Sequence, residues 1–208
     1  MIITYQGVEF FKVQFGDTIL AFNPISKESK SKTTRFFSDV ALVSANHPDF
    51  NGVENLSYNG KDPLVISGPG EYETKGVFIK GFQSKTNYGG KEKINTIYIV
   101  VLEGMTLCFL GALVDEKLPA DFLEAIEDID ILFLPIGGDG MLDAGKANKV
   151  AVTLEPKIII PMHYEAADLK TFLKQAGEEG AKPVDKLTLK KKDLEGKEGE
   201  VIILTQTN

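Results

Sequence analysis

The chain contains two histidines, and each lies just after an apolar run that predicts a buried strand. His47 follows the run at residues 40–44, and Asp49 comes two positions later. His163 follows the run at residues 157–161. Imidazole nitrogens and carboxylate oxygens are ligands that zinc takes in proteins. Because α/β folds place ligand-binding residues at the carboxyl ends of buried strands, these three side chains are candidates for a metal site.

The same three residues also have a structural interpretation. His47 could donate its ring N–H to Asp49, which would cap the turn before the Asn-Gly pair at residues 51–52. Asp49 could accept backbone amides, as aspartates in turns often do. His163 follows a proline-containing strand, and Tyr164 could cover it. Both interpretations stay open from the residues alone.

Other polar residues belong to the same predicted strand ends. Asn46 and Asn51 could offer amides to a ligand, and Asp139 lies in a glycine-rich loop at residues 137–140 that would border a cleft. This loop lacks the spacing and the lysine of a P-loop. No serine or cysteine has the neighbouring histidine that a nucleophilic triad requires, so covalent catalysis is not indicated.

The elements that must position these residues change character along the chain. The first half predicts short strands separated by turns, at residues 9–13, 18–22, 40–44, 64–66, 77–82, 96–102 and 106–110. Residues 26–34 predict a solvated loop, and residues 67–70 predict a turn. The second half predicts helices at residues 118–126, 144–154 and 169–176. Further strands are predicted between and after these helices, at residues 129–135, 157–161, 187–189 and 201–204. We therefore expect sheets covered by helices.

The composition restricts the number of domains, the kinds of partner and the cellular compartment that we expect. The 208 residues predict one domain spanning residues 1–208, and the net charge of −7 argues against nucleic-acid binding. No apolar stretch is long enough for a membrane span, and residues 1–5 do not begin a signal peptide. The single cysteine, Cys108, suits a reducing compartment. We therefore expect a cytoplasmic protein whose partner is a small molecule or another protein.

Residues 44–50, Ser-Ala-Asn-His-Pro-Asp-Phe, resemble the metallo-β-lactamase superfamily, whose motif after a buried strand is His-x-His-x-Asp-His. The resemblance continues at residues 4–11, 19–24, 109–112, 134–138 and 160–164, in the order in which the family has these segments. The resemblance is greatest to the small bacterial zinc-dependent hydrolase-like proteins, a branch related to ascorbate-6-phosphate lactonases. It implies an α/β (α+β) fold, a four-layer αββα sandwich with a dinuclear metal cleft along the open edge of its two sheets.

The ligand set that the resemblance implies is present at three positions: His47, Asp49 and His163. Four other ligand positions hold no ligand: Ala45 and Phe50 in the motif, Ala112 at the bridging aspartate, and residues 83–88 in place of the loop histidine. A catalytic zinc normally has three protein ligands and an open position, and a dinuclear centre needs more. The cofactor is therefore expected to be absent or a single weakly bound divalent metal, with zinc the first choice.

Two functions remain open on this basis. The first is a hydrolase-like protein that has lost most of its metal ligands, is metal-free or binds metal weakly, and has little or no hydrolytic activity. The alternative is a metal-dependent hydrolase of small phosphorylated or lactone-like substrates that uses one metal at His47, Asp49 and His163, with Asp49 as its catalytic residue. In either case we expect a cleft lined by Asn46, Phe50, Ala112 and Asp139. We also expect the Phe50 ring to be buried against Phe109 or other apolar groups.

Overall fold

The computed structural model describes residues 1–207 and has two β-sheets packed face to face. The first sheet has the strand order β12-β1-β2-β3-β4-β5, with β1 (Ile2–Gly7), β2 (Phe10–Phe15), β3 (Thr18–Phe22), β4 (Val40–Leu42), β5 (Leu64–Ile66) and β12 (Leu187–Thr188). The second has the order β13-β11-β10-β9-β8-β7-β6, with β6 (Gly70–Thr74), β7 (Val77–Thr86), β8 (Lys93–Leu102), β9 (Met105–Phe109), β10 (Ile131–Pro135), β11 (Ile158–Met162) and β13 (Glu200–Val201).

Helices cover the outer face of the second sheet. They are α1 (Ala120–Ala125), α2 (Ala144–Leu154) and α3 (Ala166–Ala176), and a short 3-10 turn follows at Lys191–Leu194. Asp143 caps α2 by accepting a hydrogen bond from the backbone N–H of Lys146, and α3 ends at Gly177, whose φ of 74° suits glycine. None of the helices in residues 1–207 is long and apolar enough to cross a membrane.

The core forms because alternate residues of each strand point to opposite faces. Between the sheets, Phe11 contacts Phe133 and Phe22 contacts Phe109, with ring centroids 4.8 and 4.9 Å apart. The opposite face of the first sheet carries Ala21 and other small or aromatic residues, which pack under the segment at residues 25–56. That segment contains one 3-10 turn, at Val53–Asn55.

The predicted strands and helices are largely confirmed, and three of them have the predicted bounds: β3, β5 and α2. Two predictions were wrong. Gly70 does not end a turn but begins β6, because Lys75 and Gly76 (φ 50° and 73°) form a tight hairpin turn that pairs β6 with β7. Residues 4–11, which resemble the opening strand of the family, belong to two strands instead, because the chain reverses at Val8 and Glu9 between β1 and β2.

Parallel strands bring the candidate residues to one edge. In the first sheet β3, β4 and β5 are parallel neighbours. In the second sheet β9, β10, β11 and β13 are parallel as well. The carboxyl ends of parallel strands lie at the same edge of a sheet. His47 follows β4 and His163 follows β11, so both lie at the edges of their sheets where ligands bind in such folds.

Candidate functional site

The two histidines lie on either side of one aromatic side chain, Tyr88. The ring centroid of Tyr88 is 4.7 Å from that of His47 and 4.8 Å from that of His163. Phe50 also contacts both imidazoles, at 5.6 and 5.9 Å. The fold therefore brings His47 and His163 together from two different sheets, with aromatic rings between them.

Phe50 fills the floor of this region. Its side chain is fully buried and packs with Ala45 and Ala112, while Val8 and Tyr88 cover this small cluster. The expected burial of the Phe50 ring is thus confirmed. Its neighbours are these residues rather than Phe109, which packs inside the core against Phe22 and Phe133.

Asp49 is held by two hydroxyl groups. The Tyr88 hydroxyl donates to Oδ2 at 2.6 Å, and the Ser29 hydroxyl donates to Oδ1. Burial of the phenol, followed by its hydrogen bond to this carboxylate, raises the pKa of Tyr88 well above its usual value. The phenol therefore stays protonated near neutral pH and acts as a donor. Both oxygens of Asp49 are satisfied without a cation.

His47 does not donate a proton to Asp49. Its Nδ1 accepts a hydrogen bond from the backbone N–H of Asp49 at 3.2 Å, whereas the distance from Nδ1 to Asp49 Oδ2 is 3.6 Å, beyond hydrogen-bond range. Partial burial lowers the pKa of His47, although the neighbouring Asp49 charge acts in the opposite direction. Because Nδ1 accepts this hydrogen bond, the proton of the neutral imidazole lies on Nε2.

His163 is paired with a buried carboxylate that sequence reasoning missed, Glu9. Its Nδ1 lies 3.1 Å from Glu9 Oε1, and the Glu9 side chain is fully buried. Asn23 Nδ2 donates to Glu9 Oε2 at 2.7 Å and to Ser44 Oγ at 2.8 Å. The only sequence signal for Glu9 is an acidic residue placed directly before an apolar strand, which is too common to mark a site.

Strained backbone surrounds these contacts. Four non-glycine residues near the site have φ in the left-handed region: Val8 (57°), Asn23 (44°), Asp139 (47°) and His163 (52°). The conformation of Val8 is costly because its side chain is β-branched. The backbone N–H of His163 donates a hydrogen bond to the Val8 carbonyl at 2.9 Å and holds this conformation. Such strain persists where surrounding structure fixes it, and it is concentrated at functional sites.

The remaining predicted residues have separate roles. Asn46 accepts a hydrogen bond from Asn51 Nδ2 at 2.7 Å on the exposed side of the loop. Ala112 is buried, and its backbone N–H donates to Asn95 Oδ1 at 3.0 Å. Asp139 is exposed and lies at the rim. Of the predicted cleft-lining residues, Asp139 thus borders open space, while Phe50 and Ala112 are covered.

Two pockets open on either side of Tyr88. One, of about 560 Å³, is lined by His47, Asp49 and the loop that carries Ser29. The other, of about 400 Å³, is lined by His163 and residues that follow it. Three residues line both pockets: Ser31, Tyr88 and Asp139. The Tyr88 side chain therefore divides the cleft into two compartments.

In this geometry the donors do not fit a metal centre. Within residues 1–207, no three His, Cys, Asp or Glu side chains are grouped so that they could hold one ion. Ligand atoms must lie about 2 Å from a zinc ion, and the Tyr88 ring stands between the two imidazoles. A shared ion at His47, Asp49 and His163 would require Tyr88 to leave its position.

Comparison with known proteins identifies the family. The Beta-lactamase superfamily domain matches residues 2–163. The UPF0173 metal-dependent hydrolase of Pyrococcus furiosus is 31% identical over 170 residues, which cover 78% of this chain and 71% of that protein. The corresponding protein of Thermococcus kodakarensis is 33% identical over 173 residues, with coverage of 78% and 71%.

A solved structure agrees in fold over the whole length. A candidate Zn-dependent hydrolase of the metallo-β-lactamase superfamily from Thermotoga maritima superimposes with a TM-score of 0.77 and 28% identity, covering 98% of this chain and 97% of that chain. The predicted fold class is thereby confirmed. The chain belongs to the β-lactamase superfamily, within the UPF0173 family of metal-dependent hydrolases.

Proposed function

We propose that this chain binds a small molecule in the strand-end cleft without a dinuclear metal centre, and that it has little or no hydrolytic activity. The observation that carries the proposal is the position of Tyr88, whose ring separates His47 from His163 and whose hydroxyl binds Asp49 at 2.6 Å. Hydrogen bonds thus take up the carboxylate that a metal would need. The two pockets beside Tyr88 leave room for a ligand.

A second function is favoured by the names of the relatives, which are metal-dependent hydrolases. In this alternative, one divalent metal would bind at His47, Asp49 and His163 and would act on small phosphorylated or lactone-like substrates. It requires Tyr88 to release Asp49 and to move from between the imidazoles. The two functions therefore differ in a quantity that can be measured directly, the metal content.

The test is elemental analysis of protein purified without chelator, followed by calorimetric titration with zinc. We expect well below one equivalent of metal and weak zinc binding, because the available donors do not converge. The His47→Ala variant and, as a matched control on the same loop, Asn46→Ala should have the same low content. One or more tightly held equivalents that disappear in His47→Ala but not in Asn46→Ala would overturn the proposal in favour of the metal-dependent alternative.

A variant with restored ligands provides the positive control. Histidine at positions 45, 50 and 88 together with aspartate at position 112 would supply the donor types that the family resemblance implies, and it would remove the Tyr88 ring. We expect this combination of Ala45→His, Phe50→His, Tyr88→His and Ala112→Asp to bind zinc much more tightly than the unmodified chain. Equal zinc affinity in both proteins would show that missing donors are not what limits metal binding.

A further inference from the structure

The pocket on the His163 side of Tyr88 is lined by several tyrosine side chains. Its volume, about 400 Å³, lies in the roughly 300–1,000 Å³ range of small-molecule sites. Three tyrosines line it: Tyr5, Tyr88 and Tyr164. The hydroxyl of Tyr5 is occupied by the carbonyl of Val8 at 3.0 Å, and that of Tyr88 by Asp49. At Tyr5 and Tyr88 a ligand would therefore meet the ring rather than a hydroxyl donor, and Tyr164 adds a third, half-buried ring.

The charges of the same pocket are all negative. Three carboxylates line it, Asp139, Glu165 and Asp168, and among residues 1–207 no lysine or arginine does so. The ion pairs that lysines form within residues 1–207 involve other carboxylates. Glu165 and Asp168 form the capping box at the N-terminus of α3, in which Asp168 accepts a hydrogen bond from the backbone N–H of Glu165 at 2.9 Å. The partial positive charge of the helix end offsets these two carboxylates only in part. The pocket repels phosphates and carboxylates and attracts cations.

The wall between the two pockets is held rigidly. Tyr88 is fixed by its hydrogen bond to Asp49 and by contact with Phe50, whose ring centroid is 5.2 Å away. On the other side His163 is held by Glu9 and by the close approach of Gly137, at which a Cβ atom would lie 2.1 Å from the carbonyl oxygen of His163. The Tyr88 ring and the His163 imidazole are thus preorganised, which lowers the cost of binding.

We infer that this pocket binds a small organic cation, of the substituted-ammonium class, between tyrosine rings and carboxylates. Aromatic rings attract ammonium groups through their negative faces, and quaternary ammonium ions are bound in this way by aromatic cages. The inference rests on the ligand-binding part of the proposed function and names its ligand class. It does not depend on whether a metal binds on the His47 side.

The chain offers a clean reporter for the test, because its two histidines line different pockets. Imidazole NMR signals would be followed while tetramethylammonium chloride is added at constant ionic strength, with His47→Asn used to assign them. We expect a saturable shift of the His163 signal and a small or absent shift for His47. Inorganic phosphate, and tert-butanol as an uncharged molecule of similar size, should produce no saturable shift of His163.

Variants with matched controls identify the groups responsible. Tyr164→Leu removes one ring, and we expect it to weaken tetramethylammonium binding about fivefold. Asp139→Asn removes one rim charge and should weaken binding by a smaller factor. Tyr58→Leu and Glu124→Gln make the same changes at exposed positions elsewhere and should leave affinity unchanged.

Four results would overturn the inference: no saturable shift with tetramethylammonium, saturation by phosphate, equal shifts with tert-butanol, or unchanged affinity in both pocket variants. Metal content of the same samples separates this outcome from a failure of the proposed function. Low metal content without cation binding would reject only the ligand class. Tightly bound metal with cation binding would reject only the metal-free part of the proposed function.

Discussion

At the scale of single residues, the hydroxyl of Tyr88 is the group whose hydrogen bond holds the carboxylate of Asp49. It donates at 2.6 Å to a carboxylate that is largely buried, and the Ser29 hydroxyl donates to the other oxygen. A buried carboxylate that loses a donor bears the full cost of its desolvation. The contribution of this hydroxyl can therefore be measured by removing it and keeping the ring.

The Tyr88→Phe variant should lower the free energy of unfolding by about 1–3 kcal/mol, since it leaves one oxygen of Asp49 without a partner. Urea denaturation followed by circular dichroism measures this change. Tyr58→Phe is the matched control, because Tyr58 is 64% exposed, and its unfolding free energy should change by less than about 0.5 kcal/mol. Equal stability of the two variants would contradict the role of the Tyr88 hydroxyl.

The second residue-scale prediction concerns pH. Burial lowers the pKa of His47 in the folded protein, so the unfolded chain binds more protons between the folded pKa and about 6.5. The contribution of His47 to stability is then complete above about pH 6.5 and is lost as pH falls toward the folded pKa. An imidazole NMR titration should give His47 a midpoint below about 6.5, and a midpoint above it would show that the Asp49 charge dominates instead.

At the scale of elements, the sequence patterns predicted the helices and strands whose spacing of apolar residues is periodic. They did not predict features that depend on contacts between residues far apart in the chain. The apolar face of α2 and the run in β3 predicted those elements because burial requires the same spacing in any protein. Residues 26–34 were predicted to be a solvated loop, yet Ser29 reaches Asp49 from there. Glu9 and Tyr88 were missed for the same reason, since their roles come from residues far away in the chain.

The turn between β10 and α2 gives an element-scale prediction. A Cβ atom at Gly137 would lie 2.1 Å from the carbonyl oxygen of His163, so Gly137→Ala must displace the segment after β11. We expect a loss of about 1–3 kcal/mol of unfolding free energy, with a changed His163 imidazole signal. Gly68→Ala is the control, because its Cβ would meet nothing within 4 Å. An unperturbed His163 signal in Gly137→Ala would show that the close approach is not needed to hold the imidazole.

At the scale of the whole molecule, stability comes from the apolar core between the sheets and under the helices. The largest fully buried side chains include Phe11, Phe22, Phe109 and Phe133, which pack against one another across the two sheets. The candidate site lies at the edge of this core and adds a small aromatic cluster to it. We therefore expect that folding does not depend on a bound ion in the way that it does in zinc fingers.

Thermal unfolding with and without EDTA tests this prediction. We expect the same Tm in both, because apolar side chains form the core between the sheets, and only a small rise on adding zinc. Calorimetry or circular dichroism gives the midpoints, and the variant with restored ligands serves as the comparison in which zinc should raise Tm. A decrease of several degrees when EDTA is added to the unmodified protein would contradict the prediction.

The pairing of Glu9 with His163 has a consequence for the order in which the protein assembles. The two residues are 154 positions apart in the chain, and the strained Val8 beside Glu9 is held by the backbone of His163. We therefore expect the turn between β1 and β2 to reach its final conformation only after β11 has been synthesised. On this expectation the cleft is completed only when both halves of the protein have joined.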